Sequence, residues 1–317
     1  MTIIQASSRR VENAVVGADW PAKLDVFGVG ISCTTYDEAV EMIIQAARRH
    51  SAAVVSCYST HSLVTASRNP ELRRKVNMFE MITPDGQPVR WALNLLNGTG
   101  LKDRVYGPEL TLRLSRKAAE QGVGIYLLGG SPSVLEALAA NLTKKYPGLQ
   151  IAGAESPPFR DLSPEEDETM VRRIEASGAG IVLVGLGCPK QDLFAFAHRQ
   201  RIPAVQVCVG AAFDFHAGAK KMAPSWMQRR GLEWLFRLGT EPRRLWRRDL
   251  TTNTLYLLML AGALVRRRLS YRRPTKGAIG AAEPCTLAGP HGGLHSAIQL
   301  PRAGALDDIH ARIDPKE

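Results

Sequence analysis

One carboxylate in the chain stands where it could work as a base. Asp85 follows the short apolar run Met81-Ile82-Thr83, inside the turn-forming triplet Pro84-Asp85-Gly86, and a helical pattern resumes at Pro88. That puts it at the carboxyl end of a buried strand, where open α/β sheets hold their ligands. Two readings fit these residues: an Asx-turn or helix cap, or a general base in a crevice. Further along, Tyr126-Leu-Leu-Gly129-Gly130-Ser-Pro-Ser reads as strand, glycine turn and helix start, an arrangement that can turn backbone amides toward a phosphate. Its spacing is neither a Walker motif nor GxGxxG, and a tight turn without ligand is the simpler explanation. Gly185-Leu-Gly187-Cys-Pro-Lys190-Gln191-Asp repeats the arrangement after a second apolar run. Lys190, in a first helical turn, opposes the helix dipole, so an anion there would relieve it; an exposed lysine is the plain alternative. A third strand end carries Asp214 and His216 in Asp-Phe-His, which is not the Asp-X-Asp of metal-dependent sugar transferases. Asp214 reads as a buried hydrogen-bond acceptor and His61, between apolar neighbours, as a core histidine.

Those positions need a sheet to hold them. Strand-like runs at 25–33, 53–57, 81–83, 124–128, 149–154, 181–185 and 204–209 alternate with helical patterns opening at Thr35, Ser59, Glu71, Pro88, after Tyr106, after Ser131, at Ser163 and at Pro189. Such alternation predicts an α/β fold, Rossmann-like, with a mostly parallel sheet and helices on both faces. Beyond Phe213 it stops, and two helices rich in Trp, Arg and Leu are expected over 225–238 and from 242 to about 265. The expected organisation is a loose leader (1–22), an α/β core (23–218), a basic amphipathic appendage (219–272) and a disordered tail (273–317) that lacks periodicity.

The formal net charge is +11, and 14 Lys or Arg against three acids between Lys220 and Arg273 account for all of it. A patch so confined implies an anionic partner: a diphosphate, an anionic membrane surface or a nucleic acid. The nucleic acid is set aside, because the stretch has no recognition module and aromatic residues are only 6% of the chain. Five scattered cysteines without a CxxC pair suit a reducing compartment. No signal-peptide apolar region opens the sequence, and the longest apolar run, Leu255 to Val265, is about half of the ~20 residues needed to span a bilayer. The expectation is a cytoplasmic protein that touches the inner face of the cell membrane. Trp226, Trp234, Leu235, Leu238, Leu245 and Trp246, interleaved with Arg237, Arg243, Arg244, Arg247 and Arg248, form apolar faces in a basic surround. Such a face pairs with lipid or with a second copy of the chain, so a homo-oligomer is also expected.

Taken together, TPDGxPxxW, RxYGPxL, GxPKQ[DE], GAxFDFxAG and APxWMQxxGLEWLxRLxxEPRRLWRR resemble the WecG/TagA/CpsF family of bacterial glycosyltransferases over roughly residues 24–252. The resemblance implies inverting transfer of a hexose from a UDP-sugar donor to a saccharide on polyprenyl diphosphate in cell-surface polysaccharide synthesis. N-acetylmannosamine, its uronic acid and glucose are the family's sugars, and no residue here chooses among them. By position Asp85 matches the family's base and Gln191 its active-site glutamine, while Arg237, Arg244 and Arg247 match the appendage arginines. Cys57, Ser59, Gly129, Gly130, Gly187, Lys190 and Asp214 complete the expected substrate-binding set. Two departures stand out: the family's Thr-x-Asn becomes Cys57 and Ser59, and its Arg before Ala-Pro becomes Met222. No cofactor is expected, and without Asp-X-Asp the transfer is expected to be metal-independent. The rival expectation is a UDP-sugar-binding subunit of a polysaccharide assembly complex, without turnover.

Overall fold

The structure is a computed structural model that describes residues 20–158 and 160–271. Most of the expected leader and all of the expected tail, with its histidines and Cys285, lie outside the described residues.

The first expected strand is instead a hairpin, β1 (Lys23–Val26) and β2 (Val29–Ser32), paired antiparallel. Phe27 and Gly28 both adopt positive φ (59° and 85°), the two-residue turn that matches the twist of a hairpin. Apolar periodicity runs straight through that turn, which is why it reads as one strand. Helix α1 (Tyr36–Arg48) follows a full capping box in which Thr35 and Glu38 satisfy each other's backbone amides. Then come β3 (Ala53–Tyr58), α2 (Thr60–Arg68, capped by Ser59), α3 (Pro70–Val76), β4 (Met81–Pro84) and α4 (Gln87–Asn97). The chain continues through α5 (Gly107–Gln121), β5 (Ile125–Gly129), α6 (Pro132–Lys145), β6 (Ile151–Glu155) and α7 (Pro164–Ala176). It closes the sheet with β7 (Ile181–Gly185), α8 (Lys190–His198) and β8 (Val205–Cys208), then turns through α9 (Ala212–His216).

The six-stranded sheet has the order β4-β3-β8-β7-β5-β6 and is parallel throughout. Strand residues divide by period two between two apolar layers. Val54 and Tyr58 join α2, α3, α4 and α7 on one face, whereas Val55 and Cys57 join α1, α5 and α6 on the other. The fold class is therefore the α/β, helix-flanked parallel sheet expected from the alternation.

The helix expected over 225–238 is broken into α10 (Ser225–Arg229) and α11 (Glu233–Thr240). The break is Gly231, at φ 72°, where an added Cβ would lie 2.8 Å from the Trp91 ring of α4. Helix α12 (Pro242–Tyr271) runs 30 residues, past the expected end. Its inner side, Leu245, Asp249, Thr252 and Tyr256, recurs at helical spacing and is buried. Tyr256 donates its hydroxyl to the Pro88 carbonyl at 2.6 Å, and His61 of α2 lies 3.4 Å from the Thr252 hydroxyl. No helix among the described residues is long and apolar enough to cross a membrane.

Candidate active site

Parallel strands present their carboxyl ends on one edge, and here every strand except β6 opens into a single cavity of about 880 Å³. Asp85 follows β4, Cys57 and Ser59 stand at the end of β3, Val209 and Gly210 after β8, Gly187 and Cys188 after β7, and Gly130 after β5. The N-termini of α6 and α8 point toward it through Gly130 and Gly187, so backbone amides and helix dipoles favour an anion there. Lys220, Lys221, Arg237 and Arg248 close the far side. A second cavity of about 560 Å³ lies between α4 and the appendage helices, and Ser59, His61, Asp85, Tyr106, Arg237 and Arg248 line both. Both volumes suit small-molecule ligands, for which about 300–1,000 Å³ is usual.

Asp85 does not cap its own helix: the N-cap of α4 is Gly86, with no side-chain bond. Its Oδ2 instead accepts the Gly107 amide at 2.7 Å, the first residue of α5, and its own amide donates to the Tyr58 carbonyl at 3.1 Å. Oδ1 has no partner among the described residues. Burial pushes the Asp85 carboxyl above the usual carboxylate range, against the opposing pull of the Arg104 guanidinium and the Gly107 amide. Arg104 comes from the loop before α5 and is itself buried; burial works against its charge, but Glu233 of α11 outweighs that and holds it cationic. Arg104 donates to Glu233 and, at 3.3 Å, to Gln228 Oε1, with its guanidinium 4.0 Å above the Tyr106 ring. An ion pair thus joins the appendage to the core beside the candidate base.

Gln191, in the first turn of α8, is buried and lines the large cavity, where its Oε1 accepts the Gly210 amide at 3.1 Å. Arg237 of α11 lies with its guanidinium 5.1 Å over the Phe215 ring. Asp214 lines the same cavity and pairs with Lys220 at 3.0 Å, which also approaches Glu241 at 3.7 Å. The structure therefore brings Asp85, Gln191, Cys57, Ser59, Gly130, Gly187, Asp214 and Arg237 to one cavity. Gly129 packs against the Gly185 backbone without reaching the cavity wall. Lys190 is exposed and lies outside both linings, as does Arg247, which stacks over Trp246 at 5.0 Å. The Arg244 side chain lies outside the described residues. Among the described residues no three His, Cys, Asp or Glu side chains converge to hold a metal ion.

Several lining or supporting residues carry no signal in isolation. Arg104 is one arginine in a loop, and only the motif around it sets it apart; His61 looks like a core residue until α12 is laid across α2. Asp192 is the least legible. It is 1% exposed, accepts the Ser56 hydroxyl at 2.7 Å and the Tyr58 hydroxyl at 3.5 Å, and burial raises its carboxyl to about 6. A folded-state value above the unfolded one makes ionisation a cost to the fold, absent in acid and fully present above about 6. Between about pH 4 and 6 the wild type is expected to lose roughly 3 kcal/mol of stability through this group as pH rises. Asp192→Asn is expected to flatten that slope in urea unfolding measured across the same range; an unchanged slope would refute the assignment.

Compared with known families, the chain matches the model described as "Glycosyl transferase WecG/TagA/CpsF family" over residues 24–271.

Proposed function

The chain belongs to the WecG/TagA/CpsF family of glycosyltransferases, and on that premise we propose that it moves a hexosyl group, with inversion, from a UDP-sugar to a saccharide carried on polyprenyl diphosphate. The observation that carries the reading is Asp85, standing in the wall common to two cavities with one carboxylate oxygen unpartnered. The UDP-sugar occupies the large cavity, its diphosphate near the N-termini of α6 and α8 and near Arg237, Lys220 and Lys221. The acceptor hydroxyl arrives from the other side. Asp85 Oδ1 takes its proton as the oxygen attacks the anomeric carbon, and the bond to the diphosphate breaks on the opposite face. The charge that develops on UDP falls to the cations and helix ends already in place, which need no reorganisation. An α-linked donor then gives a β-linked product. Incubation with a panel of UDP-sugars and a short polyprenyl-diphosphate saccharide, read by mass spectrometry, is expected to give one hexosylated product and UDP. UDP-sugar binding without UDP release would instead favour a non-catalytic subunit.

We read residues 23–218 as the catalytic core and 219–272 as an appendage that rests on the cytoplasmic membrane surface. Trp226, Trp234 and Trp246 are exposed, and the outer side of α12 exposes Leu250, Leu257, Leu258, Val265 and Leu269. Indole rings and basic residues around aliphatic surface suit the headgroup layer. The full chain is expected to sediment with vesicles rich in anionic lipid far more than with neutral ones, and to be released by salt, since each Lys or Arg near such a surface contributes about 1 kcal/mol. Equal sedimentation with both kinds of vesicle would overturn the electrostatic part of this account.

A further inference from the structure

The second cavity is built unlike the first. Glycines and charged side chains recur around the large one, whereas Trp91 and Leu95 of α4, Trp234 of α11 and Leu257 and Leu260 of α12 give the smaller a large apolar wall. Trp91, Leu95, Trp234 and Leu257 are 39%, 50%, 40% and 62% exposed, so this apolar surface is open rather than packed. Open aliphatic and indole walls of this kind stabilise an aliphatic chain that leaves water.

The end nearest Asp85 is polar. Apart from Asp85, the acids of this cavity are already engaged, Glu233 with Arg104 and Asp249 with Arg248 at 2.8 Å. Arg230 and Arg237 also line the cavity and have no carboxylate partner among the described residues. Gln87 lines it as well, at the start of α4, where it is 4% exposed; its Oε1 is buried without a partner and calls for a donor such as a hydroxyl, so the anion falls to the two arginines. Apolar walls with an anion-accepting end describe an amphiphile: a chain with a charged head, the head toward Asp85.

On the lipid-acceptor reading given above, we propose that this cavity seats the isoprenoid units next to the acceptor's diphosphate, between Trp91, Trp234, Leu257 and Leu260, with the diphosphate against Arg230 and Arg237. The acceptor is then held by its lipid within the protein, and membrane contact alone does not supply its affinity. A flat apolar face would rest on a bilayer; a cavity draws a chain out of it. Leu257 and Leu258 continue the apolar surface onto the outer side of α12, where the chain would leave toward the membrane.

The test is direct binding to the full chain, by calorimetry without membrane or detergent, of farnesyl diphosphate against inorganic diphosphate. The farnesyl compound is expected to bind more than about tenfold tighter, a gain that burial of about two methylene groups already supplies. Leu257→Asp and Trp234→Ala change exposed side chains and are expected to bring the two affinities together while UDP binding stays as in the wild type. Equal wild-type affinities, or a preference that survives both substitutions, would overturn the seat. If the preference is present and sensitive to both substitutions, yet no UDP is released with any lipid-linked acceptor, the seat stands and the transferase reading falls.

Discussion

Asp85→Asn is expected to lower UDP release in the presence of acceptor by about 10²–10⁴-fold, the usual worth of a positioned general base, while leaving UDP binding and the fold intact. The substitution is nearly isosteric. An asparagine oxygen can still accept the Gly107 amide that Asp85 Oδ2 accepts at 2.7 Å, so the turn between β4 and α4 keeps its anchor. What disappears is the capacity of the second oxygen to take a proton. Burial raises the Asp85 carboxyl, so its ionised form costs the fold something at neutral pH. The cost is present above the raised folded value and vanishes in acid, so the variant is expected to melt no lower than the wild type at neutral pH. The same shift sets the pH profile: turnover is expected to fall as pH drops through a value above the ordinary aspartate range. Initial rates across pH, calorimetry with UDP and thermal melts read the three effects separately. Retained turnover in the variant would remove Asp85 from the role.

Arg237→Ala is expected to cost about 10²–10³-fold in turnover, comparable to removing one preorganised donor from a site of developing charge. Arg237 lines both cavities, and its guanidinium is braced over Phe215 rather than neutralised by a carboxylate among the described residues. A cation held by a ring keeps its charge available to a diphosphate. Arg237→Lys is expected to restore only part of the loss, because lysine offers a point charge where the guanidinium offers a planar fork. Arg243, exposed in the first turn of α12 and outside both linings, is the matched control; its replacement by alanine is expected to leave turnover on a soluble acceptor unchanged. A loss as large in Arg243→Ala would reduce the effect to net charge.

The strands that hold the site were legible because each is a short apolar run closed by a turn, and α1 and α7 announce themselves through Thr35-Glu38 and Ser163-Glu166 capping boxes. Helix starts were legible too, but not the direction each side chain takes around its axis. Lys190 and Gln191 are neighbours in one first turn, yet one is exposed and the other lines the cavity. The hairpin at Phe27-Gly28 and the break at Gly231 were hidden for a different reason. Each depends on a backbone conformation, and at Gly231 also on a ring from a helix about 140 residues away, that no local pattern encodes. The second cavity was invisible altogether, since α4 supplies one wall and α11 and α12 the other. Sequence resemblance pointed to the arginines of the appendage; only the fold shows that Arg104 reaches across to meet it at Glu233.

The tie between Asp85 and the first amide of α5 has a bearing on which bond a transferase of this design would make. A carboxylate free to spin can meet hydroxyls from many angles, but one clamped by a helix end offers a single oxygen at a fixed point. The choice of linkage then rests with how deep the incoming sugar slides before one of its oxygens comes level with that point. The helix acts as a ruler, and altering the depth of the slot, rather than the acid, would be the way to redirect the product.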